Sequence, residues 1–432
     1  MTTARDPSGV RPPALGNPLW LLMPGLRIKR WLALSGAGIF VVALGTTYLM
    51  RYFGLTSRFP ISGNVGLYTI IALAGVVLMG LGLWGLFRTL LPALTASPRS
   101  GSLAHAIYSH RQLERGPRVV AIGGGTGLST LLRGLKEYTS NLTAVVTVAD
   151  DGGSSGRLRR ELGTLPPGDI RNCLVALSDA EPALTRLFQY RFSQGTGLEG
   201  HSFGNLFLVA MSGITGGFEE AIHQSSRVLA VRGEIVPSTL ANVTLSAEME
   251  DEAIVHGEVN ISHQGRRIRR LLLNPPNAPA YPGAVQAILE AQLIVLGPGS
   301  LYTSILPNLF VPGIQEALRA SRALKVYVCN VATQVGETDG YTAADHVDAL
   351  LRHTGDRMVN LVVVNSNTVL TLAPEFPASP VGYQGDTLSG IPVVAGDVVN
   401  EGFRLHHDPA KLALLLMDVY HRHARHRNGN TP

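Results

Sequence analysis

Cysteine is nearly absent: Cys173 and Cys329 are the 2 in a chain of 432 residues. That excludes a disulfide scaffold and a zinc site built on thiolates. Both lie in apolar runs and read as small buried hydrophobes. Charge is scarce too, at 16% of residues, where a soluble domain carries about 25%. The net charge of +5 is too slight to name nucleic acid as a partner. No G-x-x-x-x-G-K-[ST] run occurs, which excludes a P-loop NTPase. What is abundant is apolar residue, 45% of the chain with a mean hydropathy of +0.19, and this excludes an intrinsically disordered chain.

The excess lies at the front. Residues 31–50, WLALSGAGIFVVALGTTYLM, carry no charge, and neither do residues 59–87. A helix crossing the hydrocarbon core needs about 20 apolar residues, and both runs are long enough. Glycine recurs in each, and Trp31, Tyr48, Tyr52 and Trp84 fall near the ends, where amphipathic aromatics favour the interface. A secretory signal would start earlier and end in a small-residue cleavage site; buried core helices would show a polar face. Two transmembrane helices are expected. Arg5, Arg11, Arg27, Lys29 and Arg30 precede them and Arg88, Arg99, Arg111, Arg115 and Arg118 follow, while the connecting loop has only Arg51 and Arg58. The positive-inside rule then puts both termini and the main domain in the cytoplasm, at the inner membrane of a bacterium.

Organisation follows as a cytoplasmic segment (1–30), a two-helix hairpin (31–87), a linker (88–116), a nucleotide-binding domain (117–425) and a polar tail (426–432). In the large domain, short apolar runs such as RVVAIGG (118–124), LTAVVTVADDGG (142–153, ending on acids and glycines), AQLIVLGPGS (291–300), LKVYVCN (324–330) and VNLVVVNS (359–366) alternate with helical stretches. Runs without polar alternation suit parallel strands covered on both faces, so the fold class is α/β, a Rossmann-like doubly wound, mostly parallel sheet. Residues 227–276 alternate β-branched and polar residues and read as an inserted antiparallel meander; a helix from Pro409 closes the domain.

The strongest local signal is GGGTGLS at 123–129, between a strand and a helix. Gly123, Gly124, Gly125, Thr126 and Gly127 form a turn whose amides and following helix N-terminus suit a phosphate. Its spacing breaks the dinucleotide fingerprint, since Leu128 or Thr130 stands where the third glycine belongs. The next strand ends in Asp150 and Asp151, at the edge where open α/β sheets bind ligands. An acid there can hold a ribose hydroxyl, coordinate Mg²⁺ or act as a general base. Gly152, Gly153, Ser154 and Ser155 make another amide-rich turn, with Arg157 and Arg159 as cationic donors. Asp169 reads as a helix N-cap. Arg171 and Asn172 follow in the first turn, where an arginine opposes the helix dipole and an anionic ligand explains it better. His201 and Asn205 precede an apolar helix, His201 reading chiefly as a structural hydrogen-bonding residue. A second glycine turn, with Gly297, Gly299, Ser300, Tyr302 and Thr303, ends a later strand. Two such turns opening on one crevice suit a diphosphate.

In this order, GGGTGLS, DDGGSSGRLR, GDIRN, GHSFGN, GPGSLYTSILPNL and NVATQVGETDGYTAADH resemble the gluconeogenesis factor family, similar in fold to the 2-phospho-L-lactate transferases of deazaflavin cofactor synthesis. The resemblance covers about residues 117 to 425 and leaves out the two apolar runs. It implies binding of a UDP-sugar, notably UDP-N-acetylglucosamine, and a role in cell shape and in carbon flux to the cell wall under gluconeogenic growth. The transferases act on a nucleotide-activated donor with Mg²⁺, which the resemblance would put on Asp150 or Asp151. By motif, the nucleotide site would use Gly124, Gly125, Thr126, Gly127, Asp150, Asn172, Gly297 and Ser300. Tyr383 would match a late-loop tyrosine of the family. An Arg-His-Asp of the family reads His406-His407-Asp408 here, with Arg404 nearby as a substitute. A homo-oligomer and partners in envelope synthesis are also expected.

Overall fold

The protein is described by a computed structural model covering residues 28–53, 64–95, 112–180, 182–356, 358–367, 378–403 and 405–429. It divides into an N-terminal unit, residues 1–112, and a larger unit, residues 113–432.

The N-terminal unit contains helices Ile28–Tyr52 and Val65–Thr95, the second running past the expected end at Phe87. They pack along a seam of small residues. A Cβ on Gly45 would sit 2.6 Å from the Ala72 nitrogen, and one on Gly75 2.5 Å from that of Val42, so glycine lets the two backbones touch. The Tyr48 and Tyr68 rings stack at 5.2 Å. Thr47 and Thr69 return their hydroxyls to the carbonyls of Ala43 and Val65, at 2.7 and 2.9 Å, which leaves no polar group facing outward there. Phe40, Ile70, Leu73 and Val77 stand exposed on the outer faces. By length and composition both helices can cross a membrane.

In the larger unit the buried runs form one eight-stranded sheet of order β10-β11-β9-β8-β7-β1-β2-β3. Its strands are β1 (Val119–Gly123), β2 (Leu142–Val146), β3 (Glu234–Pro237), β7 (Leu293–Leu296), β8 (Leu324–Val328), β9 (Leu361–Asn365), β10 (Thr387–Leu388) and β11 (Ile391–Gly396). All neighbours are parallel except β10 with β11. Every residue of β1, β7 and β8 is buried, as expected of strands sandwiched between helical layers. The closing helix runs Pro409–Gly429.

The expected meander is shorter than residues 227–276. A three-stranded antiparallel sheet of order β5-β4-β6 uses only β4 (Thr244–Met249), β5 (Ile254–His256) and β6 (Ile268–Asn274). Residues 227 and 228 end the helix Phe218–Val228, and Glu234–Pro237 joins the main sheet beside β2. A six-residue helix, Glu258–His263, interrupts the rest; its first amides are satisfied by a side chain from elsewhere in the chain, so no local signal announces it.

Candidate functional site

From β1 the chain builds outward through β2 to β3, then returns to lay β7 on the other side of β1 and continues through β8 and β9. The β1/β7 boundary is therefore the switch point of a doubly wound sheet, where the loops part and leave a crevice at the carboxyl ends of the strands. Both glycine turns begin there.

The first turn leads from Gly123 into the helix Gly125–Leu135. Gly125 has φ +63°, in the left-handed region that favours glycine. Gly127 needs its hydrogen for another reason: a Cβ there would lie 2.6 Å from the Pro298 carbonyl carbon and 2.8 Å from Gly299 Cα. The two turns are in backbone contact. A Cβ on Gly124 would collide with Asp169 Oδ2.

The second turn is clamped by side chains that the motif reading passed over. Asn330, just past β8, accepts from the Gly299 amide at 3.2 Å and donates to its carbonyl at 2.9 Å. Asn308 donates to the Gly123 carbonyl at 3.1 Å, tying the second turn's helix to the end of β1. Ser300 and Thr303 both donate to the buried Glu337, which also receives Ser262 at 2.8 Å and Gln334 at 2.8 Å. Burial raises the Glu337 pKa and these donors pull it back. Glu337 lies inside a quoted motif, but its partners are up to 75 residues away.

Asp150 accepts the Gly152 amide at 2.8 Å, and burial lifts its pKa above the usual carboxylate value. Asp169 is half-buried and titrates at about 7, raised first by the loss of solvation and then by the charge of Asp150. It is not an N-cap: Pro167 holds that position, Asp169 lies within the first turn of Gly168–Leu177, and its carboxylate turns to the Gly125 amide. Glu258, absent from the sequence reading, is held well above the usual range by burial and by the charges of Asp150 and Asp169, and its Oε2 has no partner. Burial thus raises the proton affinity of all three acids, and Asp169, at about 7, can present a donor to a ligand oxygen near neutral pH.

Asp151 parts company with Asp150. Its two oxygens accept the amides of Glu258 and Val259, at 2.9 and 3.1 Å, and so cap the six-residue helix. Both oxygens are thereby engaged, and among the described residues no group of three or more His, Cys, Asp or Glu could hold a metal ion. The fit for Mg²⁺ is through Asp150 together with ligand phosphate oxygens, a donor set this ion accepts.

The wall beyond Gly152 and Gly153 is a hydrogen-bonded frame. Ser154 meets His201 Nδ1 at 2.9 Å and receives Asn205 at 3.0 Å, while Asn205 Oδ1 is buried without a partner. Ser155 accepts the Gly168 amide at 3.1 Å. Arg157 donates to the Glu199 carbonyl at 2.7 Å. Arg171 donates to Ser202 and to Asn172, at 2.5 and 2.8 Å, holding the next loop instead of reaching forward; this is what its place in a first turn serves. Arg159 is buried, and its Nη2 is bonded to Asn242 and the Val243 carbonyl, bracing the start of β4.

Tyr302 is also displaced from the expected site. It is fully buried, and its hydroxyl meets that of Tyr341 at 2.9 Å. The wide helical turn Leu301–Ile305 rotates it into the core while leaving Ser300 and Thr303 at the loop. Tyr383 packs partly buried against the core. His406 stacks edge-on against Phe403 at 4.7 Å. It is His407 that points inward, bonded to the backbone of Cys329 next to Asn330 and pushed down to about 4 by burial. Arg404 lies outside the described residues.

Comparison with known proteins agrees with this fold. A family profile described as 2-phospho-L-lactate transferase CofD matches residues 119–389. The gluconeogenesis factor of Bacillus subtilis is 50% identical over 310 residues, 70% of this chain and 98% of that one. A Nostoc protein provisionally named a gluconeogenesis factor is 47% identical over 426 residues, 92% of each chain, a share that residues 113–432 alone could not supply. A crystal structure of a Bacillus halodurans protein superposes with a TM-score of 0.67 at 49% identity, covering 70% of this chain and 100% of the other.

Proposed function

Since this chain belongs to the CofD family and is related over most of its length to the gluconeogenesis factors, we propose that it is a membrane-anchored protein that binds UDP-N-acetylglucosamine and regulates cell-wall precursor supply, cell shape and carbon flux. The observation that carries this reading is the backbone contact of Gly127 with the Pro298–Gly299 turn at the switch point. Two amide-lined turns in contact offer donors to two adjacent phosphates, which a nucleotide diphosphate sugar supplies. Asp150, Asp169 and Glu258, acids beside those turns whose proton affinity burial raises, suit hydroxyl and phosphate oxygens. Calorimetry of the full chain in lipid nanodiscs should give saturable heat with UDP-N-acetylglucosamine, weakened in Asp150→Asn. Absence of heat at millimolar ligand overturns the reading.

The anchor is the pair of apolar helices, whose outward faces are apolar and unpartnered in their own unit. Basic residues are more numerous on the flanks of the pair than in its short loop, which has Arg51 and Arg58, and this favours a cytoplasmic domain. Tethering raises local concentration near envelope-synthesis proteins and near other copies of the chain. The chain should stay with the membrane pellet after alkaline carbonate washing, and deletion of residues 28–95 should release it and its partners.

A second reading is a transferase acting on a nucleotide-activated phosphoryl donor, favoured by Asp150 standing close enough to Asp169 for its charge to raise the proton affinity there. Mg²⁺ held by Asp150 and the donor's phosphates would stabilise negative charge developing on the leaving group. The turn amides would orient the donor, with Arg171 holding the neighbouring loop in place. Incubation with lactyl diphosphoguanosine, a deazaflavin and Mg²⁺ would give the phospholactyl-deazaflavin and GMP by mass spectrometry; unchanged donor defeats this reading.

A further inference from the structure

The small sheet carries a feature that the crevice does not explain. Beside β6, between its open edge and the last turn of the helix Ala343–Thr354, runs a groove of about 530 Å³, a size usual for small-molecule sites. Its floor is apolar, with Leu273, Pro276 and Phe310. Its rim is basic. Arg269 is paired with Glu248 at 3.2 Å, but among the described residues Arg270 and Arg352 make no ion pair or hydrogen bond. His353 bolts the groove together. Its Nε2 accepts the Leu271 amide at 3.1 Å and its Nδ1 donates to the Ala349 carbonyl at 2.7 Å, which leaves the ring neutral and both nitrogens used.

We propose that this groove is a second ligand site, taking a small organic phosphate whose anionic end lies between Arg270 and Arg352 and whose apolar body rests on Leu273, Pro276 and Phe310. Two guanidinium groups bordering one apolar groove repel each other until an anion joins them, and arginine is the side chain that holds phosphate by paired hydrogen bonds. The charges of Arg352 and Arg270 already act on His353, lowering its pKa after burial has done so, which puts both beside the same ring. The groove is separate from the glycine turns: the buried Tyr302 ring stands between, edge-on to His353 at 5.8 Å.

Saturation-transfer NMR with phenyl phosphate and the full chain in nanodiscs of zwitterionic lipid tests this, with empty discs subtracted. Transfer to the phenyl protons is expected, and Arg270→Ser with Arg352→Ser should weaken binding by about tenfold or more. Both side chains are exposed and unpartnered, so the double variant should fold, checked by an unchanged melting curve. Asp150→Asn should leave the signal intact, which separates this groove from the nucleotide reading. No transfer in the parent chain, equal transfer in the double variant, or loss of transfer in Asp150→Asn overturns the proposal.

Discussion

Asp169 accepts the amide hydrogen of Gly125, so a half-buried carboxyl group sits on the first free donor of the glycine turn. The same carboxyl oxygen fills the space that a Cβ on Gly124 would need. A phosphate approaching that amide therefore meets an acid whose charge depends on pH near neutrality.

That relationship predicts a pH dependence. Asp169 titrates at about 7 in the fold against 3.8 for the ordinary group. Between those values the folded state holds a proton that the unfolded chain has lost, so stability falls as pH rises through this window. Asp169→Asn should flatten the slope of unfolding free energy between about pH 4 and about pH 7. Affinity for a diphosphate ligand should likewise fall as pH rises past about 7 in the parent chain, and vary less in the variant. Denaturant melts and calorimetry across pH check both; a slope unchanged by the substitution would falsify the assignment.

Gly127→Ala forces the two turns apart, because its Cβ meets the Pro298–Gly299 backbone. Overpacking of this kind costs about 1–3 kcal/mol. The expected result is a lower melting temperature together with loss of nucleotide-sugar binding.

The two neighbouring aspartates should separate in their effects. Asp151→Ala removes a helix cap and should destabilise the domain by about 0.5–2 kcal/mol with little direct effect on ligand affinity. Asp150→Asn should do the reverse. Paired melts and binding curves test this, and equal losses of affinity in the two variants would contradict it.

Glu337→Ala leaves the hydroxyls of Ser262, Ser300 and Thr303 without their common acceptor. Ser262 and Thr303 keep second acceptors, the Glu258 carbonyl and Ser300, so the loss should be about 1–3 kcal/mol in all, with ligand affinity falling alongside stability. Glu337→Gln keeps an acceptor oxygen and should recover part of both.

Tyr302→Phe removes one hydroxyl pair, with Tyr341, and should cost about 0.5–1.5 kcal/mol in a melt while leaving ligand affinity unchanged. A large loss of affinity would return Tyr302 to the site.

Much of this molecule is written locally. Uncharged strands such as Val119–Gly123 and Leu293–Leu296 betray a sheet covered on both faces, because burial on two sides admits no polar alternation. The two apolar helices follow from their length and composition alone. The glycine turns are legible because backbone at φ +63° or in contact with another backbone tolerates little else. What tertiary structure decided is where each polar side chain spends its hydrogen bonds. Adjacent aspartates look alike in sequence, yet Asp151 finds the amides of Glu258 and Val259, 107 and 108 residues away, while Asp150 stays at the crevice. Tyr302 and Ser300 are two residues apart, and a widened turn sends one to the core and the other to Glu337. Hydrogen bonds between distant segments leave no periodicity or spacing to read; they exist only once the sheet has brought those segments together.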